Sequence, residues 1–393
     1  MESQSELGAD EWDDISDSEL LDIQLDHFST DESPQPSSSK TDTSKNTVNE
    51  STITASPSLH SRAEEGLEQR TTEKDEERGE KRKRNVEGGR SPLLRFMKRH
   101  LSVTLLCDQS WCELKVEYGF RNPKVRQADK QRTEVQTGAN IHRARELEVH
   151  EVVPVNTQTR EDFFAIKLLN MLHMIPILEA GQCVREFPVF GLLEGVFLIG
   201  VIDELSYNQK GELVLNELKT RRHDSLPGAA QTLGHCFQVG LYKLLFDGLV
   251  RMEARKEHLV NDLKLRASLE LGAEVQAYAG RIGIQATSFG ELVDTFLMIM
   301  SCSEVPCVDL LQIEYRHQDS NSLISTMQVP FDEVQLRAEL QRYLAYWTGQ
   351  REPRGVDIEE MWKCKMCPYE EICDWRKNRS QAPETLHTNK RIK

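Results

Sequence analysis

An α/β fold, with a mixed sheet flanked by helices, is predicted by three features. Short β-branched or aromatic runs at 183–190, 196–202, 212–220, 308–317 and 323–329 are too brief for typical helices and read as strands. Between and around them, 160–174, 229–250 and 331–347 read as helices, the first with apolar residues at three- and four-residue spacing. The third feature is a hairpin, described below, that gathers acids and a lysine on one face.

Taken in order, residues 1–90 are rich in Ser, Thr, Asp, Glu and Lys and read as a disordered tail. One island, 12–28, sets Trp12, Ile15, Leu20, Leu21, Ile23, Leu25 and Phe28 among acids, and Ser16 with Glu19 makes a capping-box signature. It reads either as a short helix that folds into a protein partner's groove or as a solubilising stretch. Lys81-Arg82-Lys83-Arg84 reads as a nuclear import signal, against the plainer reading of a charge patch.

The folded body is placed at 91–378, opening at Ser91-Pro92, and 379–393 reads as a basic, flexible tail. Leu93 to Leu106 is apolar and basic, Trp111-Cys112-Glu113-Leu114 opens a helix, and 121–132 reads as a polar, basic loop. Thr137 to His142 leads into a helix ending at His150. His223 to Gly228 is a loop, 251–306 reads as mostly helical, and the strands at 308–317 and 323–329 join across Asp319-Ser320-Asn321. No internal repeat is visible.

At 393 residues the chain suits one large domain or two ordinary ones. Its net charge of −15 argues at first against a nucleic-acid partner, yet residues 1–39 hold twelve Asp or Glu and no Lys or Arg. The remainder is nearly balanced, with basic clusters. No apolar run approaches the roughly 18 residues of a membrane span. The acidic start suits neither a signal peptide nor a mitochondrial presequence. Nine cysteines, without a secretory signal, read as thiols or ligands in a reducing compartment.

The hairpin runs from Val196 to Thr220. Val196 to Ile202 is one strand, Asn208-Gln209-Lys210-Gly211 the turn, and Glu212 to Thr220 the other strand. Asp203 is placed at the end of the first strand. Glu217 and Lys219, two apart, share a face of the second. Two neighbouring carboxylates repel, and a hard cation such as Mg²⁺ relieves that repulsion, activates water and offsets charge on a phosphate. The plainer alternative is an exposed hairpin with ordinary surface charges.

Cys364-x2-Cys367-x5-Cys373 places three thiols close enough for a metal or cluster, with a fourth ligand from elsewhere. Zinc and an iron–sulfur cluster both remain open at this point. Cys112 is the remote candidate; joining it to them closes a loop of roughly 250 residues and constrains the unfolded chain. Cys107, Cys183, Cys236, Cys302 and Cys307 read as core residues.

Five segments, taken together and in this order, carry a resemblance: Thr-Gly-Ala-Asn-Ile-His (137–142), Arg-Glu-Phe-Pro-Val-Phe-Gly (185–191), Gly-Val-Ile-Asp-Glu-Leu (200–205), Glu-Leu-Lys-Thr-Arg-Arg (217–222) and Gln-Val-Gly-Leu-Tyr (238–242). Over 91–378 the chain resembles the exonuclease V family, RecB-like members of the PD-(D/E)xK nuclease superfamily. Its C-terminal thiols resemble those of AddB-type iron–sulfur nucleases. The resemblance implies a restriction-endonuclease-like α/β core with helical insertions and a C-terminal iron–sulfur segment. It implies that His142, Asp203, Glu217 and the backbone carbonyl of Leu218 hold one or two Mg²⁺ ions. Lys219 is then the catalytic lysine, while Gln238 and Tyr242 form a catalytic Gln-x3-Tyr motif bordering the DNA. Cys112, Cys364, Cys367 and Cys373 would hold a 4Fe–4S cluster that shapes a DNA passage.

The activity so implied is metal-dependent exonuclease action on single-stranded DNA from either end, by a monomer, in nuclear DNA repair and genome maintenance. Arg221 and Arg222 read either as neutralising flanking phosphates or as surface ion pairs. Tyr242 reads as a stacking surface for bases; Tyr343, Tyr346 and Trp347 read as core. Glu186, on the preceding strand, reads either as a helper at the metal site or, more plainly, as a surface carboxylate. Two other readings are a non-catalytic DNA-binding scaffold with a zinc-bound C-terminus, and an adaptor acting through the island at 12–28.

Overall fold

The protein is described by a computed structural model over residues 53–59 and 91–380. The island at 12–28, the basic run at 81–84 and the tail beyond 380 lie outside the described residues.

The sheet is mixed. Strands β2 (Leu101–Ser102), β4 (Val184–Leu193), β5 (Val196–Tyr207), β6 (Leu213–Arg221), β7 (Leu310–His317) and β8 (Leu323–Val329) form it, in the order β2-β5-β6-β7-β8 with β4 also paired to β5. Pairing is antiparallel for β4–β5, β5–β6 and β7–β8, and parallel for β6–β7 and β2–β5. A separate parallel pair joins β1 (Ile53–Leu59) to β3 (Glu151–Thr157). Neither strand belongs to the sequence reading, and β1 falls within the stretch read there as disordered.

Local chemistry explains the central hairpin. Asn208 Oδ1 accepts from the N–H groups of Lys210 (2.9 Å) and Glu212 (3.1 Å), and Gly211 takes φ +79°, which glycine adopts without strain. β5 continues to Tyr207, so Asp203 lies inside the strand rather than at its end. β6 is buried along its whole length, although Asn216, Glu217, Lys219, Thr220 and Arg221 are polar. Burying such a run is costly unless each group is bonded, which marks the strand as the chemical centre.

Helix α6 (Arg160–Glu179) begins with a capping box between Thr159 and Asp162 and extends past the expected Met174, with Pro176 inside it. It packs on β4, as does α7 (Ala229–Val250). Phe187 of β4 meets Phe246 of α7, and Phe190 meets Phe296 of α9 (Phe289–Cys302), joining these layers in one core. Between α7 and β7, the stretch read as mostly helical holds α8 (Ala273–Arg281), α9 and a single π-turn (His258–Asp262).

Before β3 lie α1 (Pro92–Arg95), then, after β2, α2 (Val103–Trp111), α3 (Glu113–Arg121), α4 (Pro123–Lys130) and α5 (Thr133–Glu146). α4 replaces the expected loop: Pro123 occupies its first turn, where a missing N–H does no harm. The 137–142 motif sits within α5 rather than before it, and α5 packs on β6 and β4. The chain then passes through α10 (Glu333–Trp347), a 3₁₀ segment (Ile358–Cys364) and α11 (Asp374–Ser380). Tyr346 and Trp347 are fully buried and Tyr343 nearly so, with Tyr346 Oη on Glu117 and Trp347 Nε1 on Gln109 Oε1 at 2.8 Å. Among the described residues no helix is long and apolar enough to cross a membrane.

Candidate active site and thiol cavity

The site forms where β5 and β6 part. Their ladder covers Glu204↔Asn216 to Tyr207↔Leu213 and stops there, so Asp203 and Glu217 face one another at the first unpaired level. β6 instead stays paired with β7 through Arg221. Asp203 Oδ2 accepts the Leu218 N–H at 2.7 Å, a side chain taking the place of a lost ladder bond. This bond fixes the Leu218 backbone beside Asp203; the structure gives no coordination for the Leu218 carbonyl.

His142 arrives from α5, its Nδ1 3.5 Å from Asp203 Oδ1. Glu217 Oε1 lies 3.1 Å from Lys219 Nζ. Gln238, on α7, joins both: its Nε2 donates to Glu217 Oε1 (2.8 Å) and its Oε1 accepts from Lys219 Nζ (2.9 Å). Gln238 Nε2 also donates to Tyr242 Oη at 3.1 Å. His235, one turn earlier on α7, is bonded to Tyr315 Oη at 3.0 Å. Burial, with Lys219 and Arg221 nearby, holds it neutral, well below its ordinary value.

The two acids are driven apart in proton affinity. Burial pushes the Glu217 carboxyl up to about 8, and the Asp203 charge adds to the rise. Burial alone would raise Asp203 as well, but His142, Lys219 and the Leu218 N–H outweigh it and hold Asp203 below its usual value. Glu217 Oε2 is buried and makes no hydrogen bond. An orphaned carboxylate oxygen beside an ionised acid is what a divalent cation would satisfy, so these residues fit the metal that the sequence implies.

Glu186 departs from the plainer of its two sequence readings. It is half-buried rather than a surface carboxylate, and with His142 and Asp203 it offers ligand atoms that lie within 4.8 Å of one another. Arg145 and Arg185 line the same recess but are tied to acids. Arg145 reaches Glu204 (3.2 Å) and Glu314 (3.0 Å), and Arg185 reaches Glu204 (3.0 Å) and Glu148 (2.7 Å).

Three further expectations need correction. Tyr242 is fully buried against Gly200, so its ring presents no face to a base; it touches the site through Gln238. Arg221 is buried, its Nη1 3.4 Å from Gln231 Oε1, because β7 pairs alongside it; it does not stand ready to meet phosphates. Arg222 is half-exposed and pairs with Glu134 at 3.0 Å, the surface ion pair that was the alternative. Cys302, read as core, is exposed at the end of α9.

Lys219 and Gln238 also face a cleft, open to solvent, between α2–α4 and the start of α7. Lys115, Arg126, Lys130 and Arg132 line it with Trp111, Phe120 and Tyr369. The sequence reading gives 121–132 as a basic loop with no binding role, and the helix α4 is what brings Arg126 and Lys130 to one cleft wall. The signal was Pro123, which reads as well as a first helical residue.

A second cavity gathers the thiols. Cys112 is the extended residue (φ −165°) that separates α2 from α3. It lines one small cavity with Cys364, Cys367 and Cys373, beside Tyr118, Tyr369 and Trp375. Burial pushes the Cys112 thiol up to about 11, with Cys367 and Cys364 adding to the rise. Burial and neighbouring thiols also raise Cys364 and Cys367. Such thiols stay protonated unless a metal brings positive charge, so the cavity fits a metal centre.

Comparison with known proteins identifies the family. Residues 91–214 and 285–376 match the family described as "Exonuclease V - a 5' deoxyribonuclease". The protein "Exonuclease V" of Danio rerio is 60% identical over 377 residues, covering 96% of this chain and 95% of its own. An uncharacterised protein, ORF95 of Ostreid herpesvirus 1 (isolate France), is 28% identical over 121 residues, 28% of this chain and 39% of its own. Among solved structures, that of SSO0001 aligns with a TM-score of 0.36 at 15% identity, over 71% of this chain and 87% of its own.

Proposed function

The chain belongs to the exonuclease V family and is a deoxyribonuclease, and on that premise we propose that it shortens single-stranded DNA from its ends at the gap between β5 and β6. One observation carries the reading: His142, Asp203, Glu217, Lys219 and Gln238 converge at that gap, and two of them, Lys219 and Gln238, also line the basic cleft. A divalent cation, Mg²⁺ in this reading, would be held by His142, Asp203 and Glu217, acidify water and offset charge developing on the phosphate.

The remaining work belongs to the chain's own groups. Lys219 Nζ, steadied by Glu217 and Gln238, faces the cleft and is placed to orient the attacking oxygen and stabilise the phosphorane-like charge. Lys115, Arg126, Lys130 and Arg132 supply the positive charge for a phosphate backbone, Lys115 and Arg132 by exchanging their ion pairs with Asp129 and Glu134. Trp111, Phe120 and Tyr369 give the cleft an apolar wall, their rings packed on Trp362, Phe96 and Tyr118 respectively. The preference for single strands, attack from both ends, action as a monomer and a place in nuclear DNA repair extend the reading through the family resemblance.

The thiol cavity is read as the seat of a 4Fe–4S cluster that pins the C-terminal segment to α2 and α3. Four cysteine thiolates in one cavity are the ligand set that an iron–sulfur cluster takes, and zinc accepts the same four, so the metal is told by the visible spectrum.

The test is anaerobic purification, then incubation with Mg²⁺ and single- or double-stranded DNA labelled at the 5′ or the 3′ end. Asp203→Ala and Lys219→Ala are run alongside, and the visible spectrum is recorded. A brown protein that shortens single strands, with both variants inactive, supports the reading. A colourless protein with stoichiometric zinc that binds DNA without cutting it would replace it with the scaffold.

A further inference from the structure

Glu186 takes φ +53° within β4, a left-handed backbone that side chains with a Cβ adopt only at a cost. It stands in the body of a strand, so no turn requires this conformation. The β4–β5 ladder runs through Arg185↔Glu204 and resumes at Phe187↔Ile202; the missing rung is the one between Glu186 and Asp203.

Both neighbours are fixed. The Arg185 N–H donates to Nε2 of the buried His150 at 2.9 Å, and the Arg185 guanidinium is held by Glu204 and Glu148. Phe187 is buried against Phe246. Between these anchors the strand turns once, and the turn brings a Glu186 oxygen within 4.8 Å of the ligand atoms of Asp203 and His142. Strain held at one residue by such anchors, beside a reactive site, points to a function for that residue. Glu217, meanwhile, turns its Oε1 toward Lys219 and Gln238.

Resting on the nuclease reading above, we propose that Glu186 is a further ligand of the active-site cation. It closes the side opposite Glu217, so that Asp203 lies between two carboxylates at one level of three adjacent strands. A hard divalent ion accepts this all-oxygen flank readily, with His142 completing it.

The test needs no DNA and no turnover. Mn²⁺ is titrated into purified wild-type protein, Glu186→Gln, Glu186→Gly and Asp203→Asn, and free Mn²⁺ is followed by electron paramagnetic resonance. Circular dichroism melts serve as the folding control, and Glu186→Gly releases the left-handed residue from strain if Glu186→Gln folds poorly. Both Glu186 variants are expected to weaken Mn²⁺ binding by tenfold or more. Wild-type affinity in both, with binding lost in Asp203→Asn, would overturn the assignment of Glu186 and leave the nuclease reading intact. Wild-type affinity in Asp203→Asn as well would show that the cation site itself lies elsewhere, and both would fall.

Discussion

Gln238 holds Glu217 across the strand–helix boundary, its Nε2 donating to Glu217 Oε1 at 2.8 Å while its Oε1 takes the Lys219 ammonium at 2.9 Å. Only a group that donates and accepts at once can hold an acid and its neighbouring cation in one geometry, which an amide does and a carboxylate does not. Gln238→Leu should lower kcat by about 10²–10³-fold with the KM for DNA within a few-fold of wild type, since orientation and not binding is lost. Gln238→Glu should be no better. Steady-state kinetics on a labelled single strand at saturating Mg²⁺ would decide.

Glu217 should make cation binding depend on pH. With its carboxyl raised to about 8, the metal-free folded protein keeps a proton that the unfolded chain loses above about 4.5. The stabilisation from this group is therefore fully present below about 4.5 and fades as pH rises to about 8. A cation expels that proton, so affinity for Mg²⁺ should rise about tenfold per pH unit toward 8 and level off above it. Calorimetric titration in two buffers of different ionisation enthalpy counts the proton; Glu217→Gln should release none.

Gly200 is required by close approach. A Cβ there would lie 2.5 Å from Tyr242 Cε1. Gly200→Ala should cost about 1–3 kcal/mol of stability and reduce activity, because displacing the ring moves Tyr242 Oη from Gln238. Tyr242→Phe removes only the hydroxyl and should keep the melting temperature close to wild type while lowering kcat. Parallel melts and rate measurements separate the two effects.

Gly355 plays a similar part in the thiol cavity, where a Cβ would meet Trp375 Cγ at 2.5 Å. Trp375 follows Cys373 by two residues, so Gly355→Ala should shift the last thiol and lower iron content per protein, with visible absorbance falling in proportion. Iron assay on anaerobically purified protein measures this directly.

The hairpin was legible because its signals are local: β-branched strands, an Asn-initiated turn, a glycine at positive φ, and acids at strand spacing. Cys112 could be proposed from its position, and the structure brings it to the other three thiols. Glu186 was legible only as one of two readings, since its level with Asp203 and its left-handed backbone depend on strand register and on neighbours distant in sequence, His150 among them. Arg221 was misread for the same reason: burial by β7 arises from a parallel crossover some ninety residues long. Tyr242 looked available because its i, i+4 spacing with Gln238 gave the right face, but not that Gly200 lies against it.

The thiol cavity also sets an order of events as the chain is made. Cys112 emerges from the ribosome before any of the sheet beyond β2, and Cys364, Cys367 and Cys373 emerge after β8 is complete. The parts that hold DNA-cutting groups can thus fold while their clasp is still unmade. If the cavity takes the metal centre proposed for it, loading would be the last step of maturation, a checkpoint that reports whether synthesis reached the far end. A chain cut short before Cys364 would carry every acid of the cutting site and lack the means to fasten it.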